Sequence, residues 1–594
     1  MKRGPGSHLS RAGERSQVGC AAQVLLRGFV FNLVVIIARR RPRCSPSIGQ
    51  GQPEFAARNG KEVRRLDNGG RAAFPQQVEA FRVGLETRWQ KDNFMKLYPA
   101  QTPAGDPTAE AAEALRAYYA EPAVRRRMVE FLGGDPPANV TCQYIAADDR
   151  VMSCRQPRPS RELWDCLERN LDISRALWDR ESLVAHLDVE YVNFDHPAEA
   201  YQNPERVFAL QKPVEETITI LLRSFGIIPL RVLSGRGFHF IWRIGRKSPV
   251  FQRLAQICPC GPSLQQVNAR LHPPNGESVL AEMGSAYSGL GLVMEFLAHR
   301  VKELASGRCA IPIELTAVEA GPRVRDREMI SIDISEFGDP LHTRTLRAPF
   351  SVYHKPSQQR WLIGEEALRE LPLMLFVPLQ GIDVCEALKI RRDTRSAAKF
   401  ARQVFTVIPE QAEGTGELLG SYLVSSLGDF HRWFYSQEQH PPEMWAETYD
   451  RTPMDVLPKC ARAMLERPND VLLHPVSMRL VTRVLLALGW HPRHIAGLIC
   501  SKFARNYGWG DQWLECDPAM RADFYTRVFA GLFVAGRDDL VDFNCQSSKE
   551  ERICPVADCP HNLEVFRQSA LARRHYDQLA HQPFHRLLLP KEHS

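Results

Sequence analysis

The chemistry in this chain is concentrated in a few short runs. In HLDVEY, residues 186–191, Asp188 and Glu190 stand two apart. On a strand that spacing aims both carboxylates from one face, while Leu187, Val189 and Tyr191 point to the other. Two carboxylates aimed together repel unless a cation or a buried proton intervenes. Hard oxygen donors of this kind suit Mg2+ or Mn2+, whose coordination is completed by water and substrate phosphates. A strand with an acidic solvent face has the same pattern, so the pair gains meaning only from its company.

Two further runs supply that company. Ser234-Gly235-Arg236-Gly237-Phe238-His239 gathers a hydroxyl, a guanidinium and an imidazole within six residues. Its glycines allow a tight turn and close backbone approach to an anion, which is phosphate-binding chemistry. The bland reading is a Gly-rich hairpin with a chance histidine. In ISIDISEFGDPLHTRTLRAPFSVYHK, residues 330–355, Asp333 follows an apolar strand and offers a third carboxylate. Arg344, Arg347, His354 and Lys355 then form a positive cluster suited to a triphosphate or a primer end. A surface hairpin with solvated charges is the alternative.

A separate constellation lies near the C-terminus, where Cys545, Cys554 and Cys559 fall within fifteen residues. Thiolates so grouped need one more ligand for a four-coordinate site and suit zinc or an iron–sulfur cluster. Buried, inert thiols are the alternative. Upstream, residues 457–490 supply Cys460, then His474, Arg479 and Arg483 at the start of a helical pattern. Cys258-Pro259-Cys260 is a weak redox or metal half-site, and Trp509 and Trp513 are weak base-stacking candidates. Cys500 and Cys516 read as structural.

The elements that must position these residues follow from periodicity. Helical spacing runs through 109–134 and, amphipathically, through 161–180, ahead of the first strands. Residues 183–194 alternate like a half-buried strand, 230–244 read as two strands about a Gly turn, and 329–361 form a third β-rich section. QAEGTGELLG, 411–420, reads as a linker or domain edge, and a helical section rich in Arg and His follows Thr452. The expected fold class is therefore α+β, with a mainly helical C-terminal domain.

Composition bounds the rest. The chain of 594 residues has 44% hydrophobic and 24% charged residues, an ordinary globular balance. Its 76 basic and 69 acidic side chains give +7, but residues 1–75 hold 14 basic and 4 acidic ones, leaving −3 for the remainder. The basic excess therefore sits in an N-terminal tail and carries no argument for nucleic acid. The apolar run 29–38 in that tail is about half the length a bilayer requires. Together with the Arg run after it, which is unlike a signal peptide, it leaves the tail reading as disordered or mis-started, with an anchor or targeting role as the alternative and no membrane partner expected. Fifteen cysteines, an odd and sparse set, favour a reducing compartment, and the cytoplasm is the expected location.

In this order the three runs resemble the motifs of the archaeo-eukaryotic primase superfamily: an acidic pair, a Ser-containing loop ending in His, and an apolar residue followed by Asp. RTLRAPFSV, 344–352, is similar to the family's basic and apolar run that follows. The resemblance covers roughly residues 80–365 and implies a catalytic core with RRM-like sheet geometry. It implies nucleotidyl transfer by Asp188, Glu190 and Asp333 through two Mg2+ or Mn2+ ions. Ser234, Arg236, His239 and Arg347 would grip the incoming triphosphate, with His354 and Lys355 nearby. Three departures stand out. The phosphate loop is one residue short of the common form, Tyr353 stands where the family often has His, and no cysteine lies between Glu190 and Ser234 to form the zinc knuckle often found there.

Residues 451–594 resemble the C-terminal domain of the primase large subunit. That resemblance makes Cys460, Cys545, Cys554 and Cys559 ligands of an iron–sulfur cluster. A zinc site with His561 in place of Cys460 is the rival. It also implies that His474, Arg479 and Arg483 hold the template and the first nucleotide's triphosphate, on charge-pairing logic; a basic solvent face is the bland account. Residues 366–450 are then a helical linker region. The function so implied is a DNA primase or primase-polymerase acting on single-stranded DNA and nucleoside triphosphates, with a replicative helicase as a further partner. A non-catalytic single-stranded-DNA-binding initiator and a gap-filling repair polymerase on the same fold are the alternatives.

Overall fold

The computed structural model describes residues 109–134, 137–150, 157–257, 279–316, 327–466, 474–503, 517–551, 553–554 and 559–580. The tail 1–75, Cys258, Cys260, Trp509, Trp513 and Cys516 lie outside the described residues. Among those described, the fold is α+β, with two sheets and a helical C-terminal region.

The larger sheet forms where the sequence alternates most strongly. β4 (Ser182–Asn193) buries Leu183, Ala185, Leu187, Val189 and Tyr191 on one face. Each fully buried Leu or Val there contributes about 1.5–3 kcal/mol of transfer free energy. β4 is central: it pairs antiparallel with β6 (Gly237–Gly245) on one side and with β8 (Glu328–Asp333) on the other. β5 (Leu230–Leu233), β7 (Ile313–Leu315) and β10 (Val377–Pro378) complete the order β10-β5-β6-β4-β8-β7, in which only β7/β8 is parallel. A four-stranded antiparallel sheet, ordered β2-β1-β3-β9, combines β1 (Ile145–Asp148), β2 (Pro157–Arg158), β3 (Asp172–Ala176) and β9 (Thr345–Arg347).

The longer helices include α1 (Ala109–Ala120), α2 (Pro122–Phe131), α3 (Pro204–Ser224) and α4 (Ala281–Ala305) in the first half. In the second half they include α5 (Ala412–Leu423), α6 (Ser426–Phe434), α7 (Lys459–Glu466), α8 (Pro475–Ala487), α9 (Pro492–Phe503), α10 (Pro518–Val534) and α11 (Leu563–Ala580). α10 shows how sequence sets a start: Asp517 accepts the Met520 N–H, and Pro518 occupies the first turn, where its missing N–H costs nothing. No helix among the described residues is long and apolar enough to cross a membrane.

Three expectations need correction. The amphipathic run 161–180 is α-helical only at Leu163–Glu168, after a 3-10 turn at Ser160–Glu162, because Asn170 turns into the left-handed region (φ 58°) and the chain continues as β3. The β-rich section 329–361 ends its strands at Arg347 and goes on in short helices from Lys355. QAEGTGELLG is no loop but the body of α5, whose Thr415 hydroxyl accepts the buried Trp242 indole N–H at 3.0 Å. Residues 366–450 thus supply an edge strand and a packed helix to the sheet they follow. The C-terminal helices also dock directly. Arg527 of α10 donates to Glu295 of α4 at 2.9 Å, His431 of α6 lies 3.1 Å from the same carboxylate, and Arg521 donates to Asp339 at 2.9 Å.

Candidate active site and cysteine pocket

Strand register assembles the acidic site. Asp188 on β4 faces His239 on β6 and Asp333 on β8, and Glu190 faces Gly237 and Ser331. Residues directly opposite in antiparallel strands project from the same face, so three carboxylates and an imidazole share one surface. His239 Nε2 lies 3.5 Å from Asp188 Oδ1. Glu190 is ion-paired with Arg236, and Lys355 Nζ stands 3.8 Å from its other oxygen. Asp333 ends β8 and accepts the Ser335 N–H at 2.9 Å.

Environment separates the two carboxylates of the pair. Burial and the neighbouring Glu190 push Asp188 well above the usual carboxylate range. Burial raises Glu190 as well, but Arg236, Lys355 and Arg347 outweigh it and hold Glu190 below its ordinary value. Burial, then Arg236, lowers Lys355 to about 8. His239 is pushed well below its usual value by burial and by His186.

The phosphate-loop expectation is modified. Ser234 N–H donates to the Gly237 carbonyl at 2.8 Å, and Gly237 N–H donates to the Ser234 hydroxyl at 3.1 Å, so these groups close the turn on itself. A side-chain carbon at Gly235 would come within 2.2 Å of the Tyr353 ring, and one at Gly237 within 1.8 Å of the Val189 carbonyl. Close packing, more than anion approach, requires both glycines. The turn is pinned from outside by Arg391, which donates to the Ser234 and Gly235 carbonyls, and by Gln211, which donates to the Arg236 carbonyl at 2.9 Å. The loop's charged side chain, Arg236, lies on the acidic face, paired with Glu190.

Of the remaining basic candidates, Arg347 is held by Asp172 at 2.7 Å, with its guanidinium 5.3 Å from the Tyr353 ring centre. His354 lies 2.8 Å from the Asn170 carbonyl, in the turn before β3. Arg344 pairs with Asp339. Sequence reasoning missed His186 and Glu336. His186 shares the β4 face with Asp188 and Glu190, and its Nδ1 lies 3.0 Å from Glu336 Oε2. The same alternation that picked out the acidic pair marks His186 two residues earlier. Arg391 had no such signal, lying far along the chain in a stretch read as linker.

The residues present fit divalent ions. Asp188 Oδ1 is buried with no hydrogen-bond partner, and like-charged carboxylates face it. Donor atoms of His186, Asp188 and His239 also lie within 4.8 Å of one another.

The second constellation is a pocket of about 90 Å³ whose lining includes Cys460, Cys545, Cys554, Cys559 and His561. All four cysteines are free thiols. Burial, followed by the other three thiols, raises Cys460 to about 12. Cys545 opens a short helix capped by Asn544, and its sulfur accepts the Leu563 N–H at 3.3 Å. Cys554 N–H donates to the Ser548 carbonyl, and His561 lies 3.1 Å from the Asp455 carbonyl. A four-thiol donor set fits zinc or an iron–sulfur cluster, and His561 keeps the rival set within the same pocket. Cys500 is buried apart from this lining.

His474 is exposed at the start of α8. Arg479 and Arg483 are instead engaged by acidic partners. Arg483 is buried, donating to both oxygens of Asp538 at 2.8 and 2.5 Å and to Asp542 at 3.0 Å, and Arg479 pairs with Asp542. These two guanidiniums tie α8 to the loop after α10. Comparison of the chain with protein-family models, curated proteins and solved structures finds no match.

Proposed function

We propose that this chain is a DNA primase or primase-polymerase that makes short primers from nucleoside triphosphates on single-stranded DNA. The observation that carries the reading is the strand pairing that sets Asp188 opposite Asp333, with Glu190 two residues along the same face. A fold that only bound DNA would gain nothing from this repulsion, whereas nucleotidyl transfer needs the cations that relieve it. Mg2+ or Mn2+ bound there would lower the pKa of an attacking 3′-hydroxyl and stabilise the departing pyrophosphate.

The chain's own side chains divide the remaining work. Asp188, Glu190 and Asp333 supply the oxygen ligands. Arg236 and Lys355 neutralise Glu190 in the metal-free protein, and ions at that carboxylate would free both cations to hold the triphosphate. Arg347, braced by Asp172, adds a fixed positive charge beside them. Ser234 closes the turn that aims Arg236, and His239 stands in line with Asp188. A zinc ion or iron–sulfur cluster held by Cys460, Cys545, Cys554 and Cys559 would order the C-terminal helices, leaving exposed His474 for the template.

Primer synthesis on unprimed single-stranded DNA with Mg2+ or Mn2+ tests this. Products from the wild type, lost in Asp333→Ala, are expected, together with selective loss of initiation in Cys554→Ser. No products from the wild type, even with a supplied primer, would overturn the enzyme reading in favour of a DNA-binding initiator.

A further inference from the structure

Beside the three carboxylates, β4 and β6 carry a second donor set of different chemistry. His186 and His239 are each more than nine-tenths buried, with ring centres 4.7 Å apart, and both abut Asp188. His186 Nε2 and Asp188 Oδ1 have no hydrogen-bond partner, nor does His239 Nδ1. Burying such atoms unsatisfied is costly, so His186 Nε2 and Asp188 Oδ1 call for an explanation, and His239 presents its Nε2 to Asp188 Oδ1 at 3.5 Å. The other nitrogen of His186 is already committed, lying 3.0 Å from Glu336. A carboxylate on one imidazole nitrogen is what fixes the tautomer and aims the other nitrogen at a metal.

We propose that His186, Asp188 and His239 form a two-imidazole, one-carboxylate site that selects a nitrogen-accepting divalent ion such as Mn2+ over Mg2+, with Glu336 as the residue that positions His186. Selectivity follows from ligand type: imidazole suits the transition metals, whereas Mg2+ prefers an all-oxygen shell. This deepens the reading of the acidic site and rests on it for the ion's role in nucleotidyl transfer, while the binding itself is independent of that role.

The test uses the full-length chain and Mn2+ alone, without nucleotide or DNA. Mn2+ is a poor thiolate binder, so the cysteine pocket does not compete. Electron paramagnetic resonance counts bound Mn2+, and pulsed measurements read its coupling to ligand nitrogen. The wild type should show nitrogen coupling, with Mg2+ displacing the ion only at large excess. His186→Gln should lose that coupling in part and weaken Mn2+ binding at least about tenfold, and Glu336→Gln should weaken it by about 10–100-fold. Either variant keeps the proposal falsifiable if the other fails to fold, as thermal unfolding reports. Mn2+ bound through oxygen alone, displacement by equimolar Mg2+, or no Mn2+ binding at all would overturn the site. The first of these would make His186 an imidazolium counter-charge. Because no catalysis is measured, failure here leaves the primer-synthesis reading standing, and failure of primer synthesis leaves this result untouched.

Discussion

The sheet site and the cysteine pocket each gather donor groups from distant parts of the chain, but by different means. At the sheet site, hydrogen-bonded register across β6, β4 and β8 fixes His239, Asp188 and Asp333 in one row, whatever those side chains are. At the pocket, Cys460 lies in the first turn of α7 and Cys545 begins a six-residue helix, while Cys554 and Cys559 sit in irregular chain. Backbone pairing builds the first site and leaves its charges in conflict. At the second the segments meet through the thiols, through single bonds such as Leu563 N–H to the Cys545 sulfur, and through the packing of α11, which buries Leu563 and Ala570. The first should therefore fold without its ligand and gain stability when cations relieve the conflict, whereas the second should depend more heavily on its ligand to fold.

Removing the metal proposed for the pocket is the largest way to break this contrast. Structural zinc contributes about 10–16 kcal/mol of apparent binding free energy in small metal-folded modules, so stripping or mutating a ligand should unfold the surrounding helices. Cys554→Ser, or a strong chelator, is expected to abolish amide-exchange protection over Cys545–Glu550 and α11 while β4 stays protected. If β4 and α11 lose protection together, the two regions share one cooperative unit and the contrast fails.

Next in size is the seam between the regions. Glu295 is fully buried, held down to about 2 against burial by Arg527 and then His431. Removing one partner of such a pair typically costs about 3–5 kcal/mol, because the remaining charge stays buried. Arg527→Met should lower stability by that amount in denaturant unfolding. Adding Glu295→Gln should restore most of it; no restoration would mean that the seam is held by apolar packing.

Acid should act on the same seam more gently. Burial pushes His431 down, and it pushes His299 down to about 3. The unfolded chain therefore takes up protons first, and stability falls as pH drops below about 6.5, the ordinary histidine value. Two such histidines give a limiting slope of roughly 2.7 kcal/mol per pH unit. Glu295, with its depressed value, adds a further loss only below about 4.5. Burial lowers His239, His342, His354, His440, His491 and His494 as well, so replacing both seam histidines with Gln should lessen the slope between about pH 6.5 and 4.5 without abolishing it, and an unchanged slope would place the acid sensitivity elsewhere.

The contrast also explains what was legible beforehand. A period of two is strong on β4, so the face shared by Asp188 and Glu190 could be read from local sequence. That Asp333 lies opposite Asp188 is a matter of long-range register, which no local pattern encodes. The cysteines declared themselves by type and clustering, and the pocket brings Cys460 to the other three from 85 residues before Cys545. Arg483 was misleading for an equally physical reason: its partners Asp538 and Asp542 are remote in sequence, so a buried tie looked like a free cation. Asn170, whose left-handed backbone ends a helix, defeated an amphipathic pattern that ran on through β3.

The smallest expected change in stability falls where the largest change in activity is expected. Asp333→Asn keeps an oxygen for the Ser335 N–H and removes one of two like charges paired across β4 and β8. Like charges directly opposite in a sheet destabilise it by about 0.2–1 kcal/mol, so the metal-free variant should melt slightly above the wild type. Primer synthesis should fall by at least about 10², the usual cost of losing one preorganised charge-stabilising group. A gain in stability with a loss of activity is the signature of a residue kept for chemistry against the interest of the fold. Should Asp333→Asn instead melt several degrees lower, Asp333 would be holding the end of β8 in place. The two regions would then no longer differ in what they ask of their ligands.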